Sequence, residues 1–188
     1  MIVVMVAGGF DPLHPGHISH LREAAKLGDC LVVALQPDEN MVKKKGFCYQ
    51  PYLLRESEIR REMADLGDNL TVFRIIDTDG TVTKTLEAVK PNIFAKGGDR
   101  NPDLVPIPSS EIDACHKIGC QIIYNVGEPK RPEWSSTLIG KKTLSIRDKL
   151  SEGWHHTERY GEVFVSPGGI AWVVREVAGG ELKSVPLR

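Results

Sequence analysis

Gly8-Gly9-Phe10-Asp11-Pro12-Leu13-His14-Pro15-Gly16-His17 follows directly on the apolar run Ile2–Ala7. A continuous apolar run of this length is what a strand covered on both faces requires. The two glycines let the backbone turn sharply and come close to a ligand. His14 and His17 flank Gly16, which has no side chain to obstruct an anion. His17 falls at the start of the next helical pattern, where free N–H groups and the helix dipole attract negative charge. Two imidazoles there can donate to phosphate oxygens and stabilise charge developing on a leaving pyrophosphate. The spacing lacks the Lys-Ser/Thr of a Walker A loop and the third glycine of a dinucleotide fingerprint. A redox Rossmann enzyme is disfavoured for the same reason, and it would need an acidic ribose ligand as well.

Outward from this loop, apolar runs alternate with helical patterns. Ile18, Leu21, Ala25 and Leu27 form a stripe within 16–27, stopped by Gly28-Asp29. Strand-like runs follow at Cys30–Leu35, Leu70–Ile76, Asn92–Lys96 and Gln121–Tyr124. Helices are expected at Tyr52–Leu66, Thr81–Val89, Ser109–Ile118 and Ser135–Leu150, the first with Ile59, Met63 and Leu66 facing inward. The βαβα alternation predicts an α/β fold, a parallel sheet with helices on both faces. Beyond Leu150 the composition changes. Glu162–Ser166 and Ile170–Val177, joined by Pro167-Gly168-Gly169, read as a β-hairpin. A boundary near residue 150 is expected, with a 1–150 domain and a 151–188 extension.

The 188 residues suffice for one such domain and a short appendage. A net charge of −1 offers no global field for nucleic acid or an anionic membrane, so neither is expected as a partner. Cys30, Cys48, Cys115 and Cys120 form no CxxC pair, which disfavours a zinc site and suits a reducing compartment. The adjacent His155-His156 lacks a third ligand and reads as surface or interface rather than metal site. The N-terminal run lacks a basic segment and is too short to span a bilayer, so a cytoplasmic protein is expected.

GGFDPLHPGH resembles the signature of the HxGH nucleotidyltransferase superfamily, in particular its cytidylyltransferase-like family. Further segments carry the resemblance. Lys43-Lys44-Lys45-Gly46, followed by Tyr49, Tyr52 and Arg55, is similar to the small glycerol-phosphate cytidylyltransferases. Lys44 there matches the lysine that holds the triphosphate and transition state, and Gly46 stands where a second lysine is common. Read without the resemblance, the lysines are a solvated charge run. Lys96-Gly97-Gly98-Asp99-Arg100 resembles the LVKGGD segment of ADP-heptose synthase adenylyltransferase domains. Asp99 would bind a hydroxyl or help hold Mg²⁺; as a plain turn residue it would shape the chain before Pro102. Ser135-Ser136-Thr137 resembles the ISST motif, whose hydroxyls and N–H groups contact β- and γ-phosphates, and Arg131 matches an arginine preceding it. Simple N-capping accounts for the same serines.

The resemblance implies a Rossmann-like five-stranded sheet in the order 3-2-1-4-5 with one site at its C-terminal edge. It implies transfer of CMP or AMP from CTP or ATP, with Mg²⁺, to a sugar or polyol phosphate, with release of pyrophosphate. His14, His17 and Lys44 would be catalytic. Gly8, Gly9, Phe10, Asp11, Gly16, Gly97, Asp99, Arg131, Ser135, Ser136 and Thr137 would hold the nucleotide. Arg55, Lys96 and Arg100 would bind the acceptor. A homodimer is expected from the family. The competing expectation is a binding module that keeps the pocket but little catalysis. The tail is weakly similar to the opening strands of cupin domains, but under forty residues do not hold a whole one.

Overall fold

The computed structural model describes residues 1–97 and 107–128, together with the backbone of four short strands between residues 155 and 186. The chain divides into two compact units, Met1–Ser136 and Thr137–Arg188. The boundary expected near residue 150 and the helix expected at 135–150 lie outside the described residues.

The first unit is a five-stranded parallel sheet, β1 (Val3–Gly8), β2 (Cys30–Leu35), β3 (Leu70–Arg74), β4 (Ile93–Gly97) and β5 (Gln121–Val126), in the order β3-β2-β1-β4-β5. Among the described residues five α-helices accompany it, α1 (Pro15–Ala25), α2 (Asp38–Lys45), α3 (Tyr52–Glu62), α4 (Thr83–Val89) and α5 (Ser109–Ile118), with a 3-10 helix at Ala64–Asn69. The period of two along β1 sorts the core. Val4 and Val6 join Leu21, Ala24, Ile59 and Met63 on one face. Met5 joins Leu86, Phe94, Ala114 and Cys115 on the other. Both faces are therefore buried under helices, which is why β1 is apolar throughout rather than alternating. β1 lies between β2 and β4, so the chain winds away from it in both directions and opens a crevice at the C-terminal ends of β1 and β4.

One helix was not expected. Asp38–Lys45 is helical, with acidic Asp38 and Glu39 in its first turn and Lys43, Lys44 and Lys45 in its last. Those charges sit at the ends the helix dipole favours. Gly46 ends it in the left-handed conformation, at φ 82°. The lysines therefore ride on a helix terminus rather than on a loop.

The second unit is an antiparallel sheet of β6 (His155–Thr157), β7 (Val163–Val165), β8 (Ala171–Val177) and β9 (Glu181–Pro186) in chain order. β7 and β8 pair as the expected hairpin, and β6 and β9 extend it on either side. Among the described residues no helix is long and apolar enough to cross a membrane.

Candidate active site

The loop between β1 and α1 is organised by its own histidine. His14 caps α1, with its backbone extended at φ −143° and ψ 167° and Pro15 opening the first turn. The His17 N–H donates to His14 Nδ1 at 3.2 Å and to the His14 carbonyl at 2.8 Å. The two imidazoles stack, with centroids 3.5 Å apart and planes 16° apart, and Phe10 meets the His17 ring edge-on at 5.0 Å. Phe10 holds a left-handed backbone at φ 47°, uncommon for a bulky residue, and its side chain is buried.

His17 is the unsatisfied member of this group. Its Nδ1 is enclosed and has no hydrogen-bond partner. Burial first, and then the neighbouring His14, His20 and Lys45, hold its pKa well below the usual imidazole value, against a smaller opposing effect of the Pro12 carbonyl. The ring is therefore neutral at pH 7.

A cavity of about 570 Å³ opens beside it, a size suited to a small ligand. Among the expected site residues, Gly8, Gly9, Phe10, His17, Lys44 and Lys96 line it. Its wall also includes Gln36, Met41, Lys45, Ile107 and Glu111, none of which stood out in the sequence. Lys45 donates to the Asp11 carbonyl at 3.3 Å, and burial pulls its pKa down, with Lys44 and Arg55 adding to the effect and Asp11 opposing it. Gly46 does not supply a second lysine, but Lys45 brings a second cation into the wall. Opposite, Lys96 lies 3.5 Å from Glu111 Oε2 and 4.4 Å above the Phe94 ring. Glu111 Oε1 also accepts the Val82 N–H at 3.2 Å, so this one carboxylate ties β4, α4 and α5 together. Only the helical phase of Ser109–Ile118 could have suggested it, because Glu111 shares the buried side of α5 with Ala114 and Cys115.

The remaining expected residues divide in two. Asp11, His14, Gly16, Arg55 and Gly97 are described but are not part of this wall. Arg55, expected to bind acceptor, is fully buried. Its Nε donates to the Gln50 carbonyl at 2.8 Å, one terminal nitrogen to the Gly9 carbonyl at 2.7 Å and the other to Asp38 Oδ1 at 2.5 Å. Asp11, expected to hold nucleotide, is also fully buried, its two carboxylate oxygens taking the N–H groups of Tyr49 and Gln50 at 2.9 and 2.7 Å. Both side chains spend their hydrogen bonds on fastening the loops that carry the glycines and lysines. Asp99, Arg100, Arg131, Ser135, Ser136 and Thr137 lie outside the described residues.

A glycine-lined crevice at the switch point of a parallel sheet, with an imidazole at a helix N-terminus and lysines in the same wall, has the chemistry to accept an anion. The cytidylyltransferase-like family model matches residues 5–142, most of the chain. The chain belongs to the cytidylyltransferase-like family. It is thereby placed among the nucleotidyltransferases, as the HxGH resemblance implied. Among curated relatives, the bifunctional protein HldE of Haemophilus ducreyi is 32% identical over 151 residues, 77% of this chain and 28% of that protein. HldE of Desulfatibacillum aliphaticivorans is 40% identical over 106 residues, 55% of this chain and 20% of that protein. The chain thus aligns with no more than 28% of the length of either relative. Among solved structures, the lipopolysaccharide core biosynthesis protein of Thermoplasma volcanium shares the fold with a TM-score of 0.52 at 28% identity, over 70% of this chain and 99% of that one. A bifunctional NMN adenylyltransferase/ADP ribose pyrophosphatase of Francisella tularensis matches at 0.55 and 14% identity, over 77% of this chain and 42% of that one, a likeness of fold.

Proposed function

We propose that this protein transfers CMP or AMP from CTP or ATP to a sugar phosphate or polyol phosphate. The observation that carries the reading is the single cavity wall shared by Gly8, Gly9, His17, Lys44 and Lys45. An acceptor phosphate oxygen forms a bond to the α-phosphorus. The bond from that phosphorus to the bridging oxygen breaks, and its electron pair departs with pyrophosphate. The protein needs no covalent intermediate for this, only alignment and charge stabilisation. His17 and the lysines stabilise the charge on the leaving group, and His14 sets the start of α1 and the orientation of His17. Arg55 and Asp11 act as positioning residues in this scheme. The names of the relatives weigh toward a sugar phosphate, because lipopolysaccharide core is a saccharide.

Mg²⁺ is proposed to arrive on the triphosphate. Among the described residues no group of three or more His, Cys, Asp or Glu side chains is placed to hold a metal. Glu111 is the one carboxylate in the described wall and already bonds Val82 and Lys96. These residues do not fit a metal cage, and no step is assigned to the ion. We also propose a cytoplasmic homodimer; light scattering on the full chain giving a monomer mass would overturn the second half of that.

The test is a pyrophosphate-release matrix of the four NTPs against sugar and polyol phosphates. Turnover of one pair with CTP or ATP is expected. Tight nucleotide binding without pyrophosphate release from any pair would leave a binding module, and activity confined to flavin or pantetheine acceptors would refute the substrate class.

A further inference from the structure

A second cavity, of about 450 Å³, adjoins the first and shares Gln36, Met41, Lys44, Gly80 and Pro108 with it. Its own wall comes from α2 and from the loop after β3: Asn40, Lys43, Thr78, Asp79 and Thr81, with Asp79 Oδ1 taking the Thr81 N–H and hydroxyl. It therefore lies on the β2–β3 side of Lys44, while the first cavity reaches across to Lys96 on β4.

Asn40 is the informative residue. It is only 7% exposed. Its Nδ2 donates to Gln36 Oε1 and to the Asp77 carbonyl, both at 2.9 Å. Two carbonyl-type acceptors fix which end of the amide is which. The Oδ1 then remains buried with no hydrogen-bond partner. A buried amide oxygen left unmatched is costly, and native structures rarely keep one without use. The loop facing it is firmly held. The Asp77 carboxylate accepts the Lys84 N–H at 2.8 Å, the Thr85 N–H at 2.9 Å and the Thr85 hydroxyl at 2.6 Å, so the Asp77 carbonyl orients Asn40 from a fixed frame.

We propose that this second cavity is the acceptor subsite, and that Asn40 Oδ1 accepts a hydrogen bond from a hydroxyl of a phosphorylated polyhydroxy acceptor. The inference rests on nucleotidyl transfer as proposed above. Lys44, common to both walls, marks where the acceptor phosphate and the α-phosphate of the nucleotide meet. Lys43 lines the second cavity and not the first, and supplies a cation for the acceptor phosphate on the α2 side, away from Asp79 on the loop after β3. A pocket built with an oriented acceptor atom discriminates strongly against a substrate lacking the matching hydroxyl, because the buried oxygen then stays unpaired.

The experiment uses the full chain and the acceptor found by the pyrophosphate-release matrix. In Asn40→Ala the KM for acceptor is expected to rise about tenfold, while the KM for the NTP and its Kd by calorimetry stay within about twofold. The same acceptor lacking one hydroxyl is compared on wild type and Asn40→Ala. For one deoxy position the difference between the two enzymes is expected to vanish, a result that a merely structural asparagine would not produce. If Asn40→Ala fails to fold, Lys43→Met, an exposed change on the same wall, is expected to raise the acceptor KM alone. A parallel rise in both KM values, or an unchanged acceptor KM in every variant, overturns the subsite while leaving nucleotidyl transfer standing. Absence of turnover with every pair overturns both.

Discussion

Two groups of polar residues meet at the loop after β1, and they are used in opposite ways. Asp11, Arg55 and Asp38 form a cluster in which two side chains are fully buried and their donors and acceptors are matched to one another or to backbone. His14 and His17 stack on the other side of the same loop, and there His17 keeps an enclosed nitrogen without a partner. In a sequence motif, aspartate, arginine and histidine look equally suited to bind a ligand. What separates them is whether their hydrogen-bonding capacity is already spent. The matched cluster holds the loop, and under the proposed function the histidine is the member that serves what enters the cavity.

Breaking the matched cluster is expected to have the largest effect, and on the fold. Arg55→Ala leaves the Gly9 carbonyl without its donor, the Gln50 carbonyl with only the Cys48 thiol, and Asp38 without its cation. Loss of a partner from a buried charged group costs roughly 3 to 5 kcal/mol. Because Asp38 keeps part of its exposure to water, the lower figure is the better expectation. Urea unfolding should show this, with the remaining folded enzyme keeping its acceptor KM. A raised acceptor KM at unchanged stability would instead return Arg55 to the role of a direct ligand.

His17→Ala should reverse the pattern. kcat is expected to fall by ~10²-fold or more, the size typical of losing one donor to a developing oxyanion. Stability should fall less than in Arg55→Ala, since the change removes the stacking on His14, the Phe10 edge contact and the Pro12 carbonyl contact but no buried charge pair. Full turnover in this variant would remove His17 from the chemistry.

The contrast also explains what was readable beforehand. The parallel strands and most helices follow from apolar periodicity, the strand order followed only from the family resemblance, and Cys30–Leu35 and Ser109–Ile118 match their expected limits. Helix α2 was missed because Asp38–Lys45 has only Met41 and Val42 as large apolar residues, too few to make a stripe; its helicity rests on charges at its ends and on Gly46. The edge strands β6 and β9 were not expected, although Gly161 and Gly179-Gly180 stand between them and their neighbours in the chain. For the site, types and spacing pointed to loops that line one cavity but could not separate side chains already bonded within the fold from those lining it. That sorting depends on tertiary partners, such as Gln50 for Arg55 and Tyr49 for Asp11, which no local pattern contains. Glu111 and Asn40 were silent for the same reason.

A smaller loss is expected from Asp11→Ala. The change leaves the N–H groups of Tyr49 and Gln50 unpaired beneath the loop, at a cost of about 1 to 3 kcal/mol in unfolding free energy. If Asp11 only fastens the loop, nucleotide affinity measured on the folded fraction should hardly change. A Kd for CTP or ATP that weakens far more than stability would give Asp11 a direct contact with nucleotide.

The subtlest test is of the proton on His17. Its pKa is held low in the folded chain, so the unfolded state binds more protons below about pH 6.5. The stability contributed by the neutral ring is complete above that value and declines as pH falls through it toward the folded pKa. His17→Ala should flatten this part of the stability–pH curve. A polyphosphate placed beside the ring acts oppositely: its negative charge favours imidazolium and raises the pKa. Binding of inorganic triphosphate to wild type should therefore take up a fraction of a proton more than binding to His17→Ala. Calorimetry in two buffers of different ionisation enthalpy measures the difference, and subtracting the variant removes the ligand's own titration. The difference should grow from pH 8 to pH 6.5. Identical proton uptake by wild type and variant would mean that His17 does not face the phosphates, and the unpartnered nitrogen would lose its significance.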